Sequence, residues 1–201
     1  MQSQQKTKNS HAFSALILAG GQSRRMGEDK AQLKLYGRNL LEYMQDKLER
    51  AGFHSVYVSG CKKGQIADRY PNYGPLAGLD ALSALPDCPA NVMVLPVDMP
   101  ALSADLLTQL ARQAVETKAS LYFDSYMMPI ALYGFDKMGA QISSVMQNKA
   151  AKARSLRAFI KLIEASARPL SSEHKKLLMN INTPEQWRAF LQTQDDLGRR
   201  F

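Results

Sequence analysis

Lys30 and Asp98 are the side chains whose surroundings are best suited to chemistry. Lys30 closes the stretch L-I-L-A-G-G-Q-S-R-R-M-G-E-D-K at residues 16–30, where an apolar run stops at Gly20-Gly21 and gives way to glycine and positive charge. Gly20, Gly21 and Gly27 permit backbone conformations and a closeness of approach that a Cβ would block. Such a loop can aim several N–H groups at one anion, and Arg24, Arg25 and Lys30 add fixed charge around the same space. The simplest ligand for it is a polyphosphate. The Lys30 ammonium would then meet the charge that builds on a phosphate during displacement, and Arg25 would meet the outer phosphates. A Walker A loop is excluded, because Gly27 is followed by Glu28-Asp29. The dinucleotide fingerprint is excluded, because the three glycines miss its G-x-G-x-x-G spacing.

Asp98 follows N-V-M-V-L-P-V at residues 91–97. A carboxylate at the end of such an apolar run either caps the following turn or binds magnesium, which takes one or two protein carboxylates plus phosphate oxygens and water. A polyphosphate loop at a neighbouring strand end favours the metal. Asp68 lies shortly before G-P-L-A-G at residues 74–78. A carboxylate can accept two hydrogen bonds from the N1–H and N2–H₂ edge of guanine, an edge that adenine lacks. Taken alone, Asp68 is more commonly a turn residue bonded to its own backbone. Arg154 and Arg157 are three apart, so on a helix they share one face, either to receive a phosphate or as a solvated basic surface. His11, His54 and His174 are scattered and offer neither metal-ligand spacing nor a Ser-His-Asp arrangement.

These residues need a scaffold that brings them together. An apolar run at 15–19 bounded by glycine predicts a buried parallel strand. Asn39 offers a helix N-cap with Glu42 closing a capping box. Leu40, Leu41, Met44 and Leu48 follow on one face, and Gly52 is the stop. A second strand is predicted at 55–59, which completes a right-handed βαβ unit. Residues 68–78 read as a loop, 79–85 as a short helix and 91–97 as a third buried strand. Ser103 caps the next helix; short strands at 120–123 and 129–133, helices at 135–146 and 155–163, and a last strand at 177–181 follow. Thr183 caps a final helix, with Pro184 in its first turn and Gln186 closing the box. The alternation predicts an α/β fold, a three-layer α/β/α sandwich with a mostly parallel, Rossmann-like sheet. Ligands bind such sheets at the carboxyl ends of strands. The glycine loop, Ser59 and Asp98 all fall at such ends.

The chain of 201 residues suits one domain, with residues 1–12 as a disordered tail, 13–194 as the domain and 195–201 as a second tail. The formal charge of +8 fits small polyanionic substrates better than nucleic acid, for which no aromatic-interleaved motif or basic recognition helix is present. No run of eighteen apolar residues predicts a membrane span, and no apolar signal core follows the polar first dozen residues. Cys61 and Cys88 lack C-x-x-C spacing. A reduced, cytoplasmic protein is expected.

The loop at residues 18–30 carries every fixed position of L-A-G-G-x-S-x-R-M-G-x-D-K. In this the chain resembles the molybdenum cofactor guanylyltransferases, the MobA family of nucleotidyltransferases. P-V-D-M-P at 96–100 looks like that family's strand ending in a metal aspartate. G-P-L-A-G, R-S-L-R-A-F at 154–159 and N-I-N-T-P-E at 180–185 look like further family segments, and the resemblance covers about residues 14–191. It implies a nucleotide-diphospho-sugar transferase-like fold. It implies nucleotide binding by Leu18, Ala19, Gly20, Gly21, Lys30, Ser59, Asp68 and Asp98, and catalysis by Lys30, Arg25 and Asp98. A magnesium ion, or manganese in its place, would be held by Asp98 and Asn182. The second substrate would meet Asn180, Asn182, Arg154 and Arg157.

The reaction so implied is transfer of GMP from GTP to molybdenum-bound molybdopterin, releasing pyrophosphate and forming molybdopterin guanine dinucleotide. Neither nucleic acid nor membrane is an expected partner; transient contact with other cofactor-biosynthesis proteins or target enzymes is. The nucleophile is a phosphate monoester with a second pKa of about 6, so it needs no protein base. Alternatives are a cytidylyl- or sugar-nucleotide transferase using the same loop, and a nucleotide-binding homologue without catalysis. Two departures stand out: Ser59 where the family usually has asparagine, and Met127-Met128 before Pro129 where it often carries a charged residue or histidine.

Overall fold

The computed structural model describes residues 13–20, 30–70, 73–148, 150 and 153–198. The expected tail at 1–12 and the loop residues Gly21, Arg24, Arg25 and Gly27 lie outside the described residues. The chain begins with β1 (Ser14–Leu18) and resumes at a 3-10 turn, Lys30–Gln32. A small hairpin of β2 (Lys34–Leu35) and β3 (Arg38–Asn39) turns through Tyr36 and Gly37, both at positive φ, as a two-residue hairpin turn of the right hand requires. Next come α1 (Leu40–Arg50), β4 (Val56–Ser59), α2 (Pro75–Ser83), β5 (Asn91–Pro96) and α3 (Ala104–Thr117). β6 (Leu121–Phe123), β7 (Ile130–Tyr133), α4 (Gly139–Met146), α5 (Leu156–Leu162), β8 (Ser166–Arg168) and the short α6 (Ser172–Lys175) follow. The last helix, α7, spans Pro184–Gly198 and so extends beyond residue 194.

Six strands form one sheet in the order β4-β1-β5-β7-β6-β8. β1 pairs in parallel with β4 on one side and β5 on the other, and Leu18 is level with both Ser59 and Pro96. Only β7 runs against the rest, antiparallel to β5 and β6. Side chains alternate between the faces, as a pleated strand dictates. Ala15, Ile17, Met93 and Leu95 pack with Met44 and Leu48 of α1, Leu107 and Leu110 of α3 and Trp187 of α7. Leu16, Val92 and Val94 pack on the other face with Leu76 and Leu79 of α2, Ile142 and Val145 of α4 and Phe159 of α5. The expected three-layer sandwich with a mostly parallel sheet is therefore the observed architecture.

The caps of α1, α3 and α7 fall where the sequence puts them. The Asn39 N–H donates to Glu42 Oε2 at 3.1 Å, and Ser103 Oγ accepts from the Leu106 N–H. The expected helix at 135–146 is divided, with a 3-10 turn, Phe135–Lys137, before α4, and two further expectations fail. The stretch at 177–181 is not a strand: a 3-10 turn, Lys176–Leu178, leads into extended chain. Its buried residues are Leu178 and Ile181, three apart, with exposed Met179 and Asn180 between them, so the two-residue period of a strand is absent. The strand of that region is Ser166–Arg168, which is too short and polar to announce itself. The second failure is α2, which starts four residues earlier than residue 79, because Pro75 occupies its first turn with a preset φ. G-P-L-A-G is thus a helix start and not a loop.

The connection after β5 is fastened from α1. Lys47 Nζ donates to the carbonyls of Pro100 and Leu102 at 2.7 and 2.8 Å. Burial pushes its ammonium down from 10.5 to about 8. A neutral amine keeps two N–H donors for the same two carbonyls, so losing the proton need not break the fastening. Because the folded pKa lies below the unfolded one, the unfolded chain binds more protons between about pH 8 and 10.5, and stability rises with pH across that window. Raising the pH from 7.5 to 10 is expected to favour wild type over Lys47→Met by on the order of 1–3 kcal/mol, read from denaturant midpoints of both proteins. A constant difference would contradict the burial argument.

Candidate active site

The carboxyl edge of β4, β1 and β5 assembles the site. The Ala19 N–H donates to the Ser59 carbonyl at 3.0 Å, and the Val97 N–H to the Leu18 carbonyl at 3.1 Å, so the three strands are still tied where they end. The chain leaves β1 through Leu18, Ala19 and exposed Gly20. It returns at Lys30, whose Nζ lies 2.9 Å from Asp98 Oδ2 and donates at 2.6 Å to Asn182 Oδ1. Asn182 is delivered by the start of α7. The Ile181 N–H donates to the Asp98 carbonyl at 2.8 Å, and Gln186 Oε1 accepts from the Asn182 and Thr183 N–H groups. Side-chain exposure is 14 % for Lys30 and 17 % for Asp98. That little water leaves the pair stronger than a surface ion pair.

Asp98 Oδ1 is buried with no hydrogen-bond partner among the described residues. A buried carboxylate oxygen without a donor is costly, and native structures rarely leave one so. Among the described residues the cluster thus holds the Lys30 ammonium against a carboxylate and an amide oxygen, with the second carboxylate oxygen unused. Hard oxygen donors of this kind suit magnesium, which commonly takes few protein ligands. Among the described residues no group of three or more His, Cys, Asp or Glu could hold a metal ion.

A second group lies at the end of β4. Ser59 Oγ donates to Asp68 Oδ1 at 2.8 Å, and Ser59 is buried, so its hydroxyl serves the carboxylate. A Cβ on Gly20 would stand 3.6 Å from Asp68 Oδ2, which places that carboxylate against the start of the glycine loop. A Cβ on Gly78 would stand 2.7 Å from both Ser59 Oγ and Leu18 Cδ2, so this helical glycine gives Ser59 its room. Arg69, next to Asp68, donates to both oxygens of Asp80 on α2, from Nε at 2.9 Å and Nη2 at 2.8 Å. This hydrogen bonding raises the arginine pKa above its ordinary value.

The structure brings Leu18, Ala19, Gly20, Lys30, Ser59, Asp68, Asp98 and Asn182 to one edge of the sheet, while Gly21 and Arg25 lie outside the described residues. Arg154 and Arg157 do not share a helix face. Ser155 Oγ accepts from the Ala158 N–H and starts α5 after Arg154. Arg154 instead stacks 4.7 Å from the Tyr73 ring centroid and donates to the Asn148 carbonyl, while Arg157 and Asn180 are exposed. Sequence reasoning missed Gly78, Arg69 and Asp80. The neighbours in the chain flagged Arg69 and Gly78, but nothing short of the helix start at Pro75 puts Asp80 opposite Arg69.

Residues 15–177 match the MobA-like NTP transferase domain. A molybdenum cofactor guanylyltransferase from Xanthomonas euvesicatoria is 38% identical over 186 residues, covering 92% of this chain and 97% of that protein. A probable molybdenum cofactor guanylyltransferase from Opitutus terrae is 30% identical, covering 88% of this chain and 94% of its own length. Among solved structures, the molybdopterin-guanine dinucleotide biosynthesis protein A from Archaeoglobus fulgidus superposes with a TM-score of 0.68 at 18% identity, covering 94% of this chain and all of that one. At that identity the superposition speaks for the fold.

Gly78→Ala tests how tightly the Ser59 end is packed. Alanine gains about 1 kcal/mol over glycine in a helix, whereas overpacking a filled site costs about 1–3 kcal/mol. With two contacts at 2.7 Å the steric term is expected to win, and the variant should melt below wild type. A raised melting temperature would show that Ser59 and Leu18 yield freely.

Proposed function

The chain belongs to the molybdenum cofactor guanylyltransferases of the MobA-like NTP transferase family, and from that membership we propose that it transfers GMP from GTP to molybdopterin, releasing pyrophosphate and forming molybdopterin guanine dinucleotide. The observation that carries this reading is the Lys30–Asp98–Asn182 cluster beside the glycine loop, with Asp98 Oδ1 left unpaired. In this reading Asp98 and Asn182 hold magnesium. When bound, the ion offsets the charge of the triphosphate and orients it for in-line displacement.

The remaining roles fall to the chain's own groups. Gly20 lets the backbone approach the phosphates without a Cβ in the way. Lys30 places a positive charge at the end of the loop, where it stabilises charge developing on the phosphate under attack. Arg25 assists at the outer phosphates. Asp68, held by Ser59, accepts from the guanine edge. The incoming phosphate monoester is already largely ionised at neutral pH, so no side chain has to remove a proton. Asn180 and Arg157 are exposed and Arg154 is fixed on Tyr73; these face the second substrate in the proposed arrangement. No helix among the described residues is long and apolar enough to cross a membrane.

Asp98→Asn decides the metal assignment. Asparagine is nearly isosteric, so melting should move little, while magnesium-dependent guanylyl transfer should nearly vanish. Undiminished transfer by this variant would place the metal elsewhere. Lys30→Ala should lower turnover by roughly 10²–10³, the usual consequence of removing one transition-state donor. Turnover near wild type at saturating GTP and pterin would rule out that role.

A further inference from the structure

Asp68 lies on a piece of chain that, among the described residues, no backbone–backbone bond holds. The parallel ladder beside β4 ends at Ile66, whose N–H donates to the Val58 carbonyl and whose carbonyl accepts from the Gly60 N–H. Among the described residues, no backbone–backbone hydrogen bond involves residues 67–69. What fastens this segment is side-chain chemistry: the Ser59 hydroxyl on Asp68 and the Arg69 guanidinium on Asp80. The Ser59 bond fixes the carboxylate but places no bond on the backbone of residues 67–69.

The second fastening is unusually specific. Asp80 is 2 % exposed on a helix whose neighbouring residues Leu79 and Leu82 are fully buried, while the Arg69 side chain is 53 % exposed. A buried carboxylate contributes little or nothing to stability compared with a well-packed apolar residue, unless its geometry serves a purpose. Here the geometry is bidentate, two parallel N–H···O bonds that set both the position and the plane of the guanidinium. Fixing that plane fixes the backbone of residue 69, and with it the residue before it.

We propose that the Arg69–Asp80 ion pair is the positioning device for Asp68: it staples the connection between β4 and α2 so that both oxygens of Asp68 are presented to the N1–H and N2–H₂ edge of guanine, and it thereby sets the nucleotide preference. The inference rests on Asp68 being the base acceptor. Arg69 touches no substrate; it acts through its neighbour. α2 contributes twice, since Gly78 makes room for Ser59 and Asp80 grips Arg69.

The test compares binding of GTP with binding of ITP, which keeps N1–H but lacks the 2-amino group, by calorimetry on the full chain with magnesium. Wild type is expected to prefer GTP by about tenfold, the worth of one hydrogen bond to a charged acceptor. Asp68→Asn, run in parallel, should lose most of that preference. Arg69→Gln/Asp80→Leu removes the pair without stranding a buried charge. It should fold, bind GTP about tenfold more weakly and show only a two- to threefold preference over ITP, because a loosened carboxylate gains less from the second donor. Arg69→Lys keeps the charge but not the fork, and should fall between the two. It decides the matter should the double variant not fold. A purely structural role would lower melting and leave the GTP-to-ITP ratio at the wild-type value. If the ratio stays intact in the double variant or in Arg69→Lys while Asp68→Asn loses it, the staple is overturned. If Asp68→Asn also keeps the ratio, the base-acceptor reading of Asp68 is the part that fails, and the staple goes with it.

Discussion

β1 has neither a free edge nor a wet face. It is hydrogen-bonded to β4 and β5, and Ala15, Leu16 and Ile17 are fully buried between helices on both sides. A strand in that position can present polar chemistry only at its ends. At the carboxyl end the ladder remains tied through Ala19 and Val97, so the residues that follow β4, β1 and β5 emerge side by side. Asp68, Gly20 and Asp98 all follow from that constraint.

The chain concentrates opposite charges at this edge with few spare partners. Lys30 is held by Asp98 and Asn182, and Arg69 by Asp80. Both acidic members are shielded from water, and each is matched to a cation that arrives from a different part of the chain. The two pairs differ in what they leave over. Asp80 spends both oxygens on one guanidinium, which closes the arrangement and suits a support. Asp98 spends one oxygen on Lys30, and its other has no partner among the described residues. An excess of eight positive charges over the whole chain favours the approach of polyanions without deciding where one docks.

Much of this was legible in the order of residues. Glycine punctuation after an apolar run announces β1 and its loop, and capping residues Asn39, Ser103 and Thr183 announce three helix starts, because both signals are local and act through the backbone within a few residues. Lys30 and Asp98 are legible for the same reason: each ends a segment whose own pattern says where it ends. The carboxyl-edge rule for α/β sheets then places them near one another before any coordinate is known.

What only the tertiary structure decided is which distant side chains meet. Asn182 reaches Lys30 across 152 positions because the start of α7 is tied to the end of β5 through Ile181 and Asp98; the family resemblance of N-I-N-T-P-E pairs Asn182 with Asp98, not with Lys30. Asp80 carries no signal of its own in the sequence; the structure buries it beside Leu79 and Leu82 and gives both its oxygens to the Arg69 fork. Arg154 and Arg157 share a spacing but not a helix, because the Ser155 cap falls between them. The segment at 177–181 reads as a strand by composition, yet the sheet edge beside β6 is taken by the polar Ser166–Arg168. Spacing along the chain sets what a segment can form, whereas packing free energy, summed over partners far apart in sequence, selects which of those segments the sheet accepts.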